Sequence, residues 1–422
     1  MESAVTETKP VSFRPLFSLA VIVSALGFFV DVYDMLIFSI VRVPSLKGLG
    51  FDEKGISEAG TFILNWQQTG LVIGGILWGI LGDKKGRMSV LFGSIVTYSL
   101  ANIACGFIPY VTFMPIVDYY ALMRFIAGVG LSGEIGAAMV LVSEILPKEI
   151  RGYGSGIVAG IGYLGAGVAF LTQALFSWQT AFFVGGGMGL LLLLLRVSVF
   201  ESGLFDHLKK EQKHVGRGNF LAFFTSWPKA IKYLRCVAVG VPTWFLVGIL
   251  ATFANEFGQA MGIAENVVPG QCVSMIYLGM AVGDLLSGPA SQWLRSRRRT
   301  VIYMLTGNML FCGVFLFGGL KTPAAVYTVC LCAGFCTGYI AMYLTMVAEQ
   351  YGTNLRATAT TSVPSLVRGM VIPMTFIFQW LKPSFGALVS AGIVGAAVYL
   401  FTFWSLRNIE ETYAKDLAFL EE

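Results

Sequence analysis

Twelve long apolar runs separated by short charged segments fill most of this chain, and they restrict its fold more than any single motif does. A helix needs about 20 apolar residues to cross the hydrocarbon of a bilayer. Runs near 16–43, 62–82, 88–108, 116–142, 152–176 and 178–200 provide them, and six more follow near 234–258, 268–292, 299–319, 323–348, 358–380 and 384–405. All are read as helices, because an isolated strand cannot satisfy its backbone in lipid. Only 13% of the residues are charged, about half the share of a soluble domain. A soluble enzyme or a nucleic-acid binder is therefore excluded. The expected fold is all-α and integral to the membrane, with two six-helix bundles at 16–200 and 234–405. A linker at 201–233 joins them, and short tails lie at 1–15 and 406–422.

Charge placement gives the orientation. Most of the 29 lysines and arginines fall in loops on one side, including GDKKGR, PKEIR, RSRRR and the linker, with Arg196 counted on the linker's flank. Lys47, Lys54, Lys321, Lys382 and Arg42 fall on the other side, while Arg124 and Arg368 lie inside spans. The positive-inside rule then puts both termini in the cytoplasm, as in a multi-pass inner-membrane protein. The opening MESAVTETKPVSFRP has no basic n-region or cleavage site, so the first run is expected to stay as a span. Seven cysteines in apolar runs, without metal or disulfide spacing, read as fillers. His207 and His214 share one polar loop, which removes histidine-ligated metal or haem from the membrane. No cofactor, metal or nucleic-acid partner is expected; the partners are a small solute, protons and lipid, and the protein is read as a monomer.

The halves echo each other. Glu144 and Arg151 close the fourth span in VSEILPKEIR, and Glu349 and Arg356 close the tenth at the same spacing in VAEQYGTNLR. A six-plus-six repeat joined by a linker is the organisation of a duplicated transporter, with its substrate site at the midplane between the halves.

Between the second and third spans, GDKKGRM (Gly82 to Met88) resembles the signature loop of the major facilitator superfamily. The fourth span adds Arg124, Gly128, Gly130, Gly133 and Glu134 in RFIAGVGLSGE. Together with Glu144, Arg151 and Gly152, and with ESGLF at Glu201, this is similar to the sugar-porter and metabolite:proton symporter branches. The Gly-Pro signature of drug antiporters is missing from the fifth span, and so is the Pro-Glu-Ser-Pro-Arg run of sugar porters. Gln292 stands where the second-half loop would carry an acid. The resemblance implies alternating access. It also implies a proton site built from an acid on span one beside an arginine on span four, and a cytoplasmic charge cluster of Asp83, Arg87, Glu144, Arg151, Glu349 and Arg356. That cluster would tie spans together in the outward-facing state and release in the inward-facing one; a role in topogenesis alone is the alternative.

The residues themselves point the same way. Asp31 and Asp34 share a face of span one at i, i+3, and each acid at a helix centre costs about 2.5–3.5 kcal/mol on insertion scales. At 1.5 Å per residue Asp34 lies about 14 Å and Arg124 about 12 Å from the outer surface, so the two can pair. Protonation would free the arginine and bias a two-state equilibrium; a permanent ion pair clamping two helices is the alternative. Glu134 is either a proton or substrate group or a buried carboxyl bonded across the bundle. Arg368 has no acid at its depth on its own helix, which suggests an anionic solute held by its guanidinium fork. Its competing partners would be Asp284 and Glu256. Arg124, Gln68, Tyr163, Gln173, Trp244, Asn255, Tyr339 and Tyr343 complete the expected cavity lining, with Asn65 beside them.

Two stretches match GxGxxG, at Gly128, Gly130 and Gly133 and at Gly160, Gly162 and Gly165. Both lie within apolar spans, where glycine serves helix packing rather than a nucleotide. The expected function is secondary active transport of a small polar, anionic solute with protons, by symport. A proton-coupled exporter and a non-transporting receptor are the alternatives; no enzymatic activity is expected.

Overall fold

The computed structural model describes residues 14–134, 141–142, 145–147, 150–201 and 219–413. The expected cluster members Arg87 and Arg151, by their side chains, and Glu144 altogether lie outside that description. The first bundle comprises α1 (Leu19–Gly48), α2 (Glu53–Lys85), α3 (Arg87–Gly106), α4 (Ile116–Leu131), α5 (Arg151–Leu175) and α6 (Trp178–Glu201). In the second, α7 runs Trp227–Phe245 and continues through a π-turn, Leu246–Ala251, to Ala254–Ala260. Then come α8 (Pro269–Trp293), α9 (Arg297–Phe317) and α10 in two pieces, Pro323–Thr337 and Ile340–Gln350. α11 begins as Arg356–Gly369. Its outer half and α12 together form Val371–Arg407, divided at Gly386, whose φ of 73° breaks the helical path. The chain is all-α, as expected. Nine helical stretches among the described residues are long and apolar enough to cross a membrane.

Helix ends extend past the apolar runs because backbone hydrogen bonding does not stop where hydropathy does. α2 starts at Glu53 rather than 62, since Asp52 Oδ1 accepts from Gly55 N at 2.8 Å and caps it. α7 starts at Trp227 rather than 234, with Pro228 in its first turn, where proline's missing N–H costs nothing.

The second bundle breaks its helices at mid-depth. Pro242 removes a donor from α7 just before the π-turn, and Thr252 Oγ1 donates to Val247 O at 2.9 Å within that turn. α10 is interrupted at Gly338 and Tyr339. The orphan N–H of Ala341 donates to Asp284 Oδ1 at 2.9 Å, so Asp284 acts as an N-terminal cap for the second piece. α11 pauses at Met370, six residues past Pro364. Backbone freed at membrane depth is tolerated only where protein or a cavity receives it.

Glycine sets the closest approaches. A Cβ on Gly334 would lie 2.2 Å from Ile276 O, and one on Gly279 would lie 2.2 Å from Leu331 O, so α8 and α10 touch backbone to backbone. Both GxGxxG stretches do the same work: Gly128 faces Gln67 O, Gly130 faces Tyr98 N and Gly165 faces Phe29 O. Gly334→Ala is expected to destabilise the protein by about 1–3 kcal/mol through overpacking, seen as a lower melting temperature in detergent. Gly313→Ala, with open space at its Cβ, should leave that temperature unchanged. Equal effects at the two sites would refute the contact.

Between bundles, α2 packs on α11 and α5 on α8. Gly75 and Gly79 make room for Ser365, Thr361 and Thr358, and Ser155 Oγ accepts from Thr345 Oγ1 at 2.8 Å.

Candidate functional site

Three polar assemblies are buried in the molecule, two inside the first bundle and one between the bundles. The first surrounds Arg124 on α4, which is fully buried. Its Nη1 donates to Asn102 Oδ1 at 2.7 Å, its Nε to Gln67 Oε1 at 3.2 Å, and its Nη2 to the backbone oxygen of Asp34 at 3.1 Å. The rings of Phe38 and Phe182 lie 5.7 and 5.6 Å from the guanidinium carbon. The expected pair of Asp34 and Arg124 is thus brought together, but through Asp34's carbonyl. Both oxygens of its carboxyl are buried without a hydrogen-bond partner. The carboxyl lies against Gly185 of α6, where a Cβ would be 2.1 Å from Oδ1. Sequence reasoning passed over Asn102 and Gln67, because single amides in apolar helices carry no spacing signal.

The second assembly is an ion pair that the sequence reading missed. Glu134 accepts from both terminal nitrogens of Arg196, from Nη1 at 3.1 Å and from Nη2 in a still shorter contact. Both side chains are buried, and Gly27 of α1 leaves the space they fill. Arg196 is not a linker-flank residue: it lies inside α6. Its place at the end of a leucine run was the available signal. The Glu134 carboxyl is thus bonded across the bundle to α6.

The third is a cavity between the bundles, lined from α1 and α5 on one side and from α7, α8, α10 and α11 on the other. Its free volume is about 50 Å³. Tyr163, Trp244, Tyr343 and Arg368 of the expected lining meet there. Gln68, Gln173 and Asn255 do not reach it, nor does Asn65. Tyr339 turns away, donating to Val239 O at 3.0 Å. Arg368 is 6% exposed, with its guanidinium 5.9 Å from the Trp244 ring, and it makes no hydrogen bond or ion pair with another described residue. Neither expected competitor pairs with it: Asp284 caps α10 through Oδ1 and leaves Oδ2 buried without a hydrogen-bond partner, and Glu256 pairs with Lys382 at 2.5 Å. Asp31 is buried within electrostatic reach of Arg368, with its Oδ1 unbonded.

At the end of the molecule that carries the 82–87 loop, Asp83 crosses from one bundle to the other. Its carboxylate accepts from Ala357 N (3.0 Å), Thr358 N (2.7 Å) and Thr358 Oγ1 (2.5 Å), and so caps the start of α11. The helix N-terminus favours that negative charge. Glu349 accepts from Arg297 at 3.3 Å and from Thr412 Oγ1 at 2.8 Å, while Arg356 Nε donates to the carbonyls of Ala348 and Tyr351. Glu411 binds the first turn of α9 through Ser296 Oγ, Arg297 N and Arg298 N. Burial would raise its carboxyl, but these hydrogen bonds hold it below the usual carboxylate range. Asp83→Ala is expected to shift the population towards states open at this end. A cysteine placed at Gly79, now packed on Thr358 and Thr361, should label several-fold faster with a thiol reagent in that background. An unchanged labelling rate would count against the tie.

Two six-helix bundles enclosing a charged cavity at mid-depth, latched at one end, define a membrane carrier. The chain belongs to the Major Facilitator Superfamily, whose profile matches residues 17–372. It is 26% identical to the inner membrane metabolite transport protein YhjE of Escherichia coli (strain K12), over 97% of each chain. It is 30% identical to the niacin transporter NiaP of Acinetobacter baylyi (strain ATCC 33305 / BD413 / ADP1), over 79% of this chain and 80% of that one. The structure of the proton:xylose symporter XylE superposes with a TM-score of 0.73 at 16% identity, covering 94% of this chain and 97% of that one. The protein is a multi-pass membrane transporter of metabolites, not an enzyme.

Proposed function

We propose that the protein is a proton-coupled symporter of a small organic anion, working by alternating access with both termini in the cytoplasm. The observation that carries this reading is Arg368: a buried guanidinium, unpaired among the described residues, in the cavity between the bundles. A buried guanidinium without a direct hydrogen-bonded partner is costly, and an anionic solute would supply that partner through a bidentate fork. Asp31 and Asp34 give the proton a place on α1. An acid near Arg368 also links the two ligands, since a carboxylate solute and an ionised Asp31 compete for one positive charge. Binding the anion then favours protonation of Asp31, and the pair would cross together. With the Asp83 end latched, the conformation described is the outward-facing or closed one.

The reading is tested in proteoliposomes carrying a pH-sensitive dye inside. Adding a carboxylate that shifts the protein's melting temperature should acidify the lumen. Arg368→Ala protein should show no such change. Solute uptake without any proton movement would sink the coupling, and uptake retained by Arg368→Ala would sink the anion site.

A further inference from the structure

The cavity's own inventory narrows the anion further, on the assumption that the transport reading holds. Arg368 is the one charged side chain among the described residues of the lining. A second carboxylate on the solute would sit unpaired among apolar walls, with Asp31 repelling it, so the site is built for a monoanion. Hydroxyl-rich solutes fare no better. Tyr343 already donates to Cys236 O at 2.6 Å, and Thr243 is bonded to Tyr339 at 3.2 Å. A polyol would find the Tyr277 hydroxyl and the Trp244 indole N–H besides Arg368, too few partners for a ring of hydroxyls.

What the cavity does offer is aromatic surface. Phe28 and Tyr163 meet edge to face with centroids 5.3 Å apart, and Tyr163 and Tyr277 do so at 5.9 Å. This chain of rings crosses from the first bundle to the second. Trp244 lies under the guanidinium and in the same lining, directly before the π-turn of α7. The open space of about 50 Å³ is narrower than the roughly 150 Å³ apolar cavity that holds benzene elsewhere. A thin ligand therefore asks for the least widening.

We propose that the cavity takes a flat aromatic monocarboxylate, with its carboxylate on Arg368 and its ring among Phe28, Tyr163, Trp244 and Tyr277. Ring contacts of this kind distinguish a planar π-system from a saturated ring of the same carbon count by about tenfold in affinity.

The experiment measures binding to the purified full-length protein by calorimetry, using benzoate, cyclohexanecarboxylate, benzamide and succinate. Benzoate should bind saturably and cyclohexanecarboxylate about tenfold more weakly, with no binding of benzamide or succinate. Trp244→Leu should bring the ratio of the two acids towards one, and the milder Trp244→Phe should do so in part. Arg368→Lys should weaken both acids alike, because it removes the fork but keeps the charge. Cyclohexanecarboxylate or succinate binding as tightly as benzoate would overturn the proposal, as would no binding of benzoate. Proteoliposome uptake separates the two readings. Benzoate that binds but never accumulates refutes transport and leaves the site standing; a saturated acid that binds through Arg368 and accumulates refutes the aromatic class and leaves transport standing.

Discussion

Asp34→Asn protein is expected to lose proton-driven accumulation while still exchanging solute across the membrane. Asparagine is nearly isosteric with a protonated aspartic acid, so it fixes the carrier in its proton-loaded electrostatic state. It fits the site because neither carboxyl oxygen of Asp34 has a hydrogen-bond partner to lose, and Gly185 already leaves the room. Arg124 keeps its bonds to Asn102, Gln67 and the Asp34 carbonyl, none of which involves the Asp34 side chain. A pH gradient of one unit is worth about 1.4 kcal/mol per proton, so the unaltered protein can concentrate its solute up to about tenfold across such a gradient. The variant should only equilibrate it. Counterflow in vesicles preloaded with solute should persist at a comparable rate. Full accumulation by Asp34→Asn would remove Asp34 from the coupling and transfer the role to Asp31, whose own neighbour is Arg368.

Removing one side of the Glu134–Arg196 pair should be among the most destabilising changes available. The pair is buried beneath α1, and breaking such a pair by deleting one partner typically costs about 3–5 kcal/mol, because the other charge is left stranded. Glu134→Gln and Arg196→Met are each expected to lower the melting temperature markedly and to reduce the folded yield. The double variant Glu134→Leu/Arg196→Met should recover most of the loss, since replacing both charges with apolar groups is often neutral. Should Glu134→Gln prove as stable as the parent and yet fail to couple protons, the carboxyl would be a titrating site rather than a clamp.

Much of the architecture was legible in the order of residues. Span number and the packing role of the glycine motifs follow from one constraint, that backbone and side chains at membrane depth must be satisfied without water, while the duplication showed in the repeated Glu-to-Arg spacing. The same constraint made Asp31, Asp34, Arg124, Glu134 and Arg368 conspicuous as charges inside apolar runs. Arg196 escaped because it stands near the end of its run, where a charge is as easily read as part of the following loop. The lining was legible in type and not in member. Tyr339 and Tyr343 sit at helical spacing, yet the break at Gly338 turns Tyr339 onto α7 and leaves Tyr343 at the cavity.

The sequence by itself determined which groups had to be reckoned with, because a charge or an interrupted helix in lipid is costly wherever it falls. Only the tertiary structure decided how each is satisfied. It gave Glu134 an arginine, made Asp284 a helix cap and Asp83 a bridge between bundles, and left Arg368 facing a cavity. That division has a physical cause. The cost of burying a charge depends on depth, which a linear pattern records, whereas its compensation depends on hydrogen-bond geometry over a few ångströms between helices far apart in the chain.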